Sequence, residues 1–83
     1  MDVYIVAIFR TREQTMRFNA EMTKRGCKTS IINTPRDVLS ACGISVKFGP
    51  SAICHARRVI RAYDFSSFAG FYAYEGGRYS FIM

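Results

Sequence analysis

The 83-residue chain has no C-x-x-C pair, a single histidine and an odd number of cysteines, Cys27, Cys42 and Cys54. Those shortages exclude a disulfide framework and a cysteine/histidine zinc site, and they predict free thiols in a reducing cytosol. Acids are scarce as well: Asp and Glu number 6 against 12 Lys and Arg. The acids are scattered without a pair suited to acid–base catalysis, and Gly49-Pro50-Ser51 is too short to cradle a phosphate. Both points argue for a non-catalytic protein rather than a conventional enzyme, with no cofactor implied. No apolar run is long enough to span a membrane. The opening MDVYIVAIF is short, begins with an acid instead of a basic segment, and reaches Arg10 without a small-residue cleavage site. It predicts a strand and a cytoplasmic location. With no repeat, low-complexity segment or linker, residues 1–83 read as a single domain.

What is present is basic charge and aromatic surface. The formal net charge is +6, with seven basic against four acidic residues through Cys42 and five against two after it. There is thus no basic tail; the charge belongs to the folded surface and favours an anionic partner.

Residues 3–9, VYIVAIF, are apolar at both alternating registers, as in a central strand covered on both faces. Thr11 followed by Gln14 forms a capping-box pattern. It opens a helix with Thr15, Phe18 and Met22 on its apolar stripe, and Gly26 ends it. CKTSIIN (27–33) and ISVKF (44–48) read as strands. Gly49 and Pro50 open a second helix that gathers Ala52, Ile53, Ala56, Val59, Ile60 and Tyr63 on one side and Cys54, Arg57, Arg58 and Arg61 on the other. SFAGFYAY is a strand, and EGGR can turn it into a short terminal hairpin with RYSFI. The order predicts an α+β, ferredoxin-like βαββαβ fold, with two helices on one face of an antiparallel sheet and a possible C-terminal hairpin.

This plan gives the segment between the second and third strands a place. It spends about ten residues where a hairpin needs two to five, and such excess often carries function. Thr34, Pro35 and Asp37 suggest a capped helical turn, Val38 and Leu39 its ties to the core, and Gly43 a sharp bend into the next strand. The strand order gathers Arg10, Arg12 and Arg36 around Cys42, near the N-terminus of the first helix. A thiol of ordinary pKa is only about 3 per cent ionised at neutral pH, and lowering that pKa by about two pH units, roughly 2.7 kcal/mol, would ionise most of it. A position after the C-terminus of the loop's own turn opposes that effect. Cys54 is a rival, since it lies in the first turn of the second helix ahead of Arg57 and Arg58, at the opposite end of the sheet. Cys27, at a strand start, reads as structural. His55 reads as a surface residue rather than a base.

The segment IINTPRDVLSACGISVKF, and above all Thr34, Pro35, Arg36, Leu39, Ser40, Cys42 and Gly43, resembles the selenium/sulfur (Se/S) carrier protein-like family of small bacterial domains. The likeness runs over nearly the whole chain: a first strand ending in Phe, a helix closed by Gly26, a Pro-initiated second helix and an aromatic final strand. It implies a carrier that holds sulfur as a persulfide, or selenium as its analogue, on Cys42. Arg36 would lower the thiol pKa and Gly43 would admit a partner closely. Arg10, Arg12, Thr34 and Ser40 would supply anion or partner contacts. The implied partners are a cysteine desulfurase or selenium donor and an acceptor protein. The sequence departs from the family pattern at Asn19, where the first helix more often has an acid, and at CHARR in the second helix, where an acidic stretch is usual.

Two other readings come from the residues themselves. The RNA-recognition module shares this strand order and displays aromatics on an open sheet face, so an RNA-binding or basic protein-interaction module without thiol chemistry is the alternative. Against it, strand 44–48 lacks the module's Gly and paired aromatics. Alternation sends Phe68, Tyr72 and Tyr74 to one face and Ala69, Phe71 and Ala73 to the other. Both faces of the central strands are then apolar while helices cover one, which predicts a homodimer or higher oligomer. The strip Arg57, Arg58 and Arg61 reads as a solvated helix face that could dock an acidic partner.

Overall fold

The computed structural model describes residues 3–36, 38 and 43–83. Its first strand, β1 (Tyr4–Phe9), is buried at every position from Ile5 to Phe9, because it lies between two neighbours and is covered on both faces. Helix α1 (Arg12–Lys24) starts at Thr11, whose side chain accepts a hydrogen bond from the Gln14 backbone. It ends in a Schellman turn: Gly26, at φ 81°, donates to the Thr23 carbonyl and Cys27 donates to that of Met22. The turn takes up Cys27, so β2 runs over Thr29–Asn33, later than the expected start at residue 27. Strand β3 (Ile44–Phe48) follows, then a 3₁₀ turn (Pro50–Ala52) that leads into α2 (Ile53–Ala62). Strand β4 (Phe68–Glu75) and β5 (Arg78–Phe81) close the chain as a hairpin across Gly76 and Gly77. Both glycines have positive φ, as the two-residue turn between paired Glu75 and Arg78 demands.

The architecture is α+β, with five antiparallel strands in the order β2-β3-β1-β4-β5 and two helices. The strand count exceeds the four of the βαββαβ plan by β5. Both helices pack on one face. Phe18 and Met22 of α1 and Ala56 and Val59 of α2 share a core with Ile5, Ala7 and Phe9 of β1, Val46 and Phe48 of β3, and Phe71 of β4. The opposite face has its own smaller cluster, in which Val6 and Ile8 are fully buried beneath Val38, with Tyr4, Ile32, Ala69, Tyr72 and Tyr79 packed around them.

One expectation is corrected. Phe68 lies on the helix face, against Phe9 and Phe71, and Ala69 joins the other cluster. Pairing runs Ile8 with Gly70 and then Phe9 with Phe68, so Ala69 is skipped in a β-bulge that reverses the alternation before Gly70. Tyr72 and Tyr74 keep the face they were expected to share. No described helix is long and apolar enough to cross a membrane.

Candidate functional site

Antiparallel pairing brings the end of β1, the end of β2 and the start of β3 to one edge of the sheet, termed the upper edge. The loop between β2 and β3 opens there. Its base is pinched shut: the Thr34 N–H donates to the Gly43 carbonyl at 2.9 Å, and the Thr34 and Ser45 hydroxyls are hydrogen-bonded at 2.7 Å. Ser45 is fully buried, so this polar link is part of the sheet's interior. Beyond it, the Val38 N–H closes a tight turn onto the Pro35 carbonyl. The Val38 side chain, 5% exposed, packs on Val6 and Ile8, which fastens the loop to the face opposite the helices. Cys42 and Ser40 lie outside the described residues, as do Asp37 and Leu39.

The basic residues expected here are exposed: Arg10 just past β1, Arg12 at the start of α1 and Arg36 in the loop's turn. Among the described residues the one ion pair joins Lys24 to Glu21 in the last turn of α1, away from this edge. Glu13, in the first turn of α1, and Asp64, on the approach to β4, are exposed acids at the same edge. The edge is held by Gln14. Instead of reaching back to Thr11 to complete a capping box, its carbonyl accepts from the Ser67 N–H (2.8 Å) and hydroxyl (2.7 Å), and its amide donates to Ser66. The Arg10 N–H donates to the Ser67 carbonyl, so α1, β1 and the approach to β4 meet at one buried serine.

Gly43 is exposed, its φ is not positive, and no described residue lies within 4 Å of where a Cβ would stand. The sharp bend expected there does not require glycine.

The other two thiols sit at the lower edge. Cys54 is exposed in the first turn of α2, with no side-chain cap on that helix, and Cys27 is half-buried against the core. Two openings lie at this edge that sequence reading missed. One, about 370 Å³, is lined by Arg25, Cys27, Lys28, Ser51 and His55. His55 is half-buried with its Nδ1 sealed from solvent and without a hydrogen-bond partner among the described residues, so it is not a plain surface side chain. The other, about 440 Å³, is bounded by Tyr4, Lys28, Ser30 and Lys47 on the face away from the helices. The alternation of ISVKF, with Lys47 paired to Val6, was the available signal for this second opening.

The fold and this edge define a class: a small α+β domain presenting a cysteine-bearing loop, closed at its base, beside exposed guanidinium groups. Residues 4–72 match the family model described as "Putative Se/S carrier protein-like", a span that includes the whole loop. The chain belongs to that family. No curated protein and no solved structure gives a match.

Proposed function

We propose that this protein is a thiol-based carrier that holds sulfur as a persulfide, or selenium as its analogue, on Cys42 and passes it to an acceptor protein in the cytoplasm. The observation that carries the reading is the family match across residues 4–72, which takes in the thiol, the Thr-Pro-Arg run and Gly43 together. The supporting framework is a ferredoxin-like βαββαβ unit extended by the β4–β5 hairpin. In that framework a long loop leaves the upper edge between Arg10, Arg12 and Arg36.

In the transfer step the Cys42 thiolate attacks the outer sulfur of a donor persulfide, such as that on a cysteine desulfurase. A new S–S bond forms, the old one breaks, and the donor thiolate departs, with no net oxidation or reduction. Handover repeats this step with an acceptor thiolate attacking the outer sulfur on Cys42. Arg36 favours the thiolate, Arg10, Arg12, Thr34 and Ser40 contact the anionic group or the partner, and Gly43 lets the partner's backbone approach.

Incubation with a cysteine desulfurase and cysteine, followed by intact-mass measurement, should add one sulfur atom to the wild type and none to Cys42→Ser. Equal loading of that variant would end the reading. Site-resolved iodoacetamide labelling at neutral pH should be fastest at Cys42; fastest labelling at Cys54 would move the role to α2.

A further inference from the structure

The face of the sheet away from the helices carries a built surface that the carrier reading does not use. Register places Tyr4 of β1, Tyr72 and Tyr74 of β4, and Tyr79 and Phe81 of β5 on this side. Tyr4 stacks on Tyr74 with centroids 4.7 Å apart and planes 19° apart, and Tyr74 meets Tyr79 at 4.9 Å. The Tyr4 and Tyr79 hydroxyls are hydrogen-bonded at 2.8 Å, so the rings are fixed before any ligand arrives. Phe81, 62% exposed, leans edge-on to Tyr72 at 5.4 Å and presents its free side to solvent.

Among the described strand residues, the charge on this face is positive. The strand positions pointing this way include no acid, and the Lys47 ammonium lies 4.3 Å from the Tyr4 ring centre. Beside it, Lys28, Ser30 and Thr29 complete the opening of about 440 Å³. Fixed rings next to a hollow bearing two lysines match a ligand with flat faces and a repeating negative charge. Five strands spaced about 4.8 Å apart make a sheet about 19 Å across; Val38 covers its centre toward the upper edge, and the remainder has room for about two splayed nucleotides.

We infer that this face binds single-stranded nucleic acid, with a phosphate held between Lys28 and Lys47 and a base stacked on the open side of Phe81, the interlocked rings of Tyr4, Tyr74 and Tyr79 forming the wall between them. Stacking on π-faces gives affinity without sequence choice, and the lysines make the binding salt-dependent. The site lies on the face opposite α2, so Arg58 and Arg61 take no part in it.

Fluorescence anisotropy with a fluorescein-labelled, mixed-sequence RNA octamer, at 50 and 200 mM KCl, tests the proposal. The wild type should bind saturably. Phe81→Ala should weaken binding about tenfold, the size of one lost stacking contact. Lys47→Gln should reduce the slope of log affinity against log salt by about 0.7, as expected for one phosphate contact on a single strand. Arg58→Gln/Arg61→Gln should leave both affinity and slope unchanged, and a duplex of the same sequence should bind more weakly. Circular dichroism should show every variant folded; Phe81 is exposed and Lys47 half-buried, and each serves as a check on the other. Absence of binding at 100 μM protein would overturn the proposal. So would loss of binding in the helix variant alone, equal binding of duplex, or a dimer in sedimentation that Phe81→Ala dissociates and the octamer does not.

Discussion

Two glycines show how much a single missing Cβ can mean. Gly70 sits in the bulge at φ 138°, and a Cβ there would stand 2.5 Å from the Phe81 ring and 3.0 Å from the Met83 carbonyl. Gly70→Ala should therefore destabilise the fold by about 2 kcal/mol, read from urea unfolding, since the backbone strain persists even if the ring moves aside. Gly43 is the opposite case: its conformation is open to any residue and no described residue lies within 4 Å of an added Cβ. Gly43→Ala should leave the urea midpoint unchanged yet slow sulfur handover, because the added methyl meets no described residue and stands where a partner would approach. A change in midpoint without a change in handover would make this glycine a feature of folding alone.

Between elements, the joints are polar and local. Glu21 on α1 accepts a hydrogen bond from Tyr63 at the end of α2, and this bond, aided by Lys24 and Arg17 against the desolvation that opposes it, holds the carboxyl below its ordinary range. A carboxyl whose folded pKa is depressed contributes stability above its unfolded value and loses that contribution as pH falls through the folded one. Tyr63→Phe keeps the ring beneath the Arg17 guanidinium, 5.1 Å away, while removing the hydroxyl. Its thermal midpoint should lie below that of the wild type at neutral pH, and the two should converge on acidification past the usual glutamate range. A gap that persists at low pH would assign the effect to packing. The loop joins the sheet through an apolar contact instead. Val38→Ala, which removes two buried methyl groups from above Val6 and Ile8, should cost about 1.5 kcal/mol in urea unfolding and hasten protease cleavage between residues 34 and 43. Cleavage at an unchanged rate would mean that Val38 does not fasten the loop.

At the scale of the whole molecule, the sheet separates two chemistries. The upper edge presents the carrier loop among guanidinium groups, while the face away from the helices presents rings and lysines. The two readings are separable by experiment: Cys42→Ser should lose loading and retain the octamer, and Phe81→Ala should do the reverse. The expected self-association rested on an apolar face left open. Val6 and Ile8 are buried on that face within one chain while Phe81 stays exposed there, and a monomer in sedimentation at micromolar concentration would remove the argument for a second copy.

The features legible in the chain were those set within a few residues of one another. VYIVAIF is apolar at both registers because a strand covered on both faces has no outward side, Gly26 stops a helix because it tolerates positive φ, and EGGR turns because two adjacent glycines permit it. The candidate loop was visible by its excess length, and its thiol by the company of Thr34, Pro35, Arg36 and Gly43. Tertiary structure alone decided which partners distant residues would find. Gln14 left its own helix start for Ser66 and Ser67 some fifty positions away, Phe68 changed faces through a bulge opposite Phe9, and Val38 settled on the face opposite the helices. Local pattern fixes a period and a cap, whereas the register between strands far apart in the chain is chosen by the packing of the whole sheet, and a one-residue offset there reverses every side chain that follows.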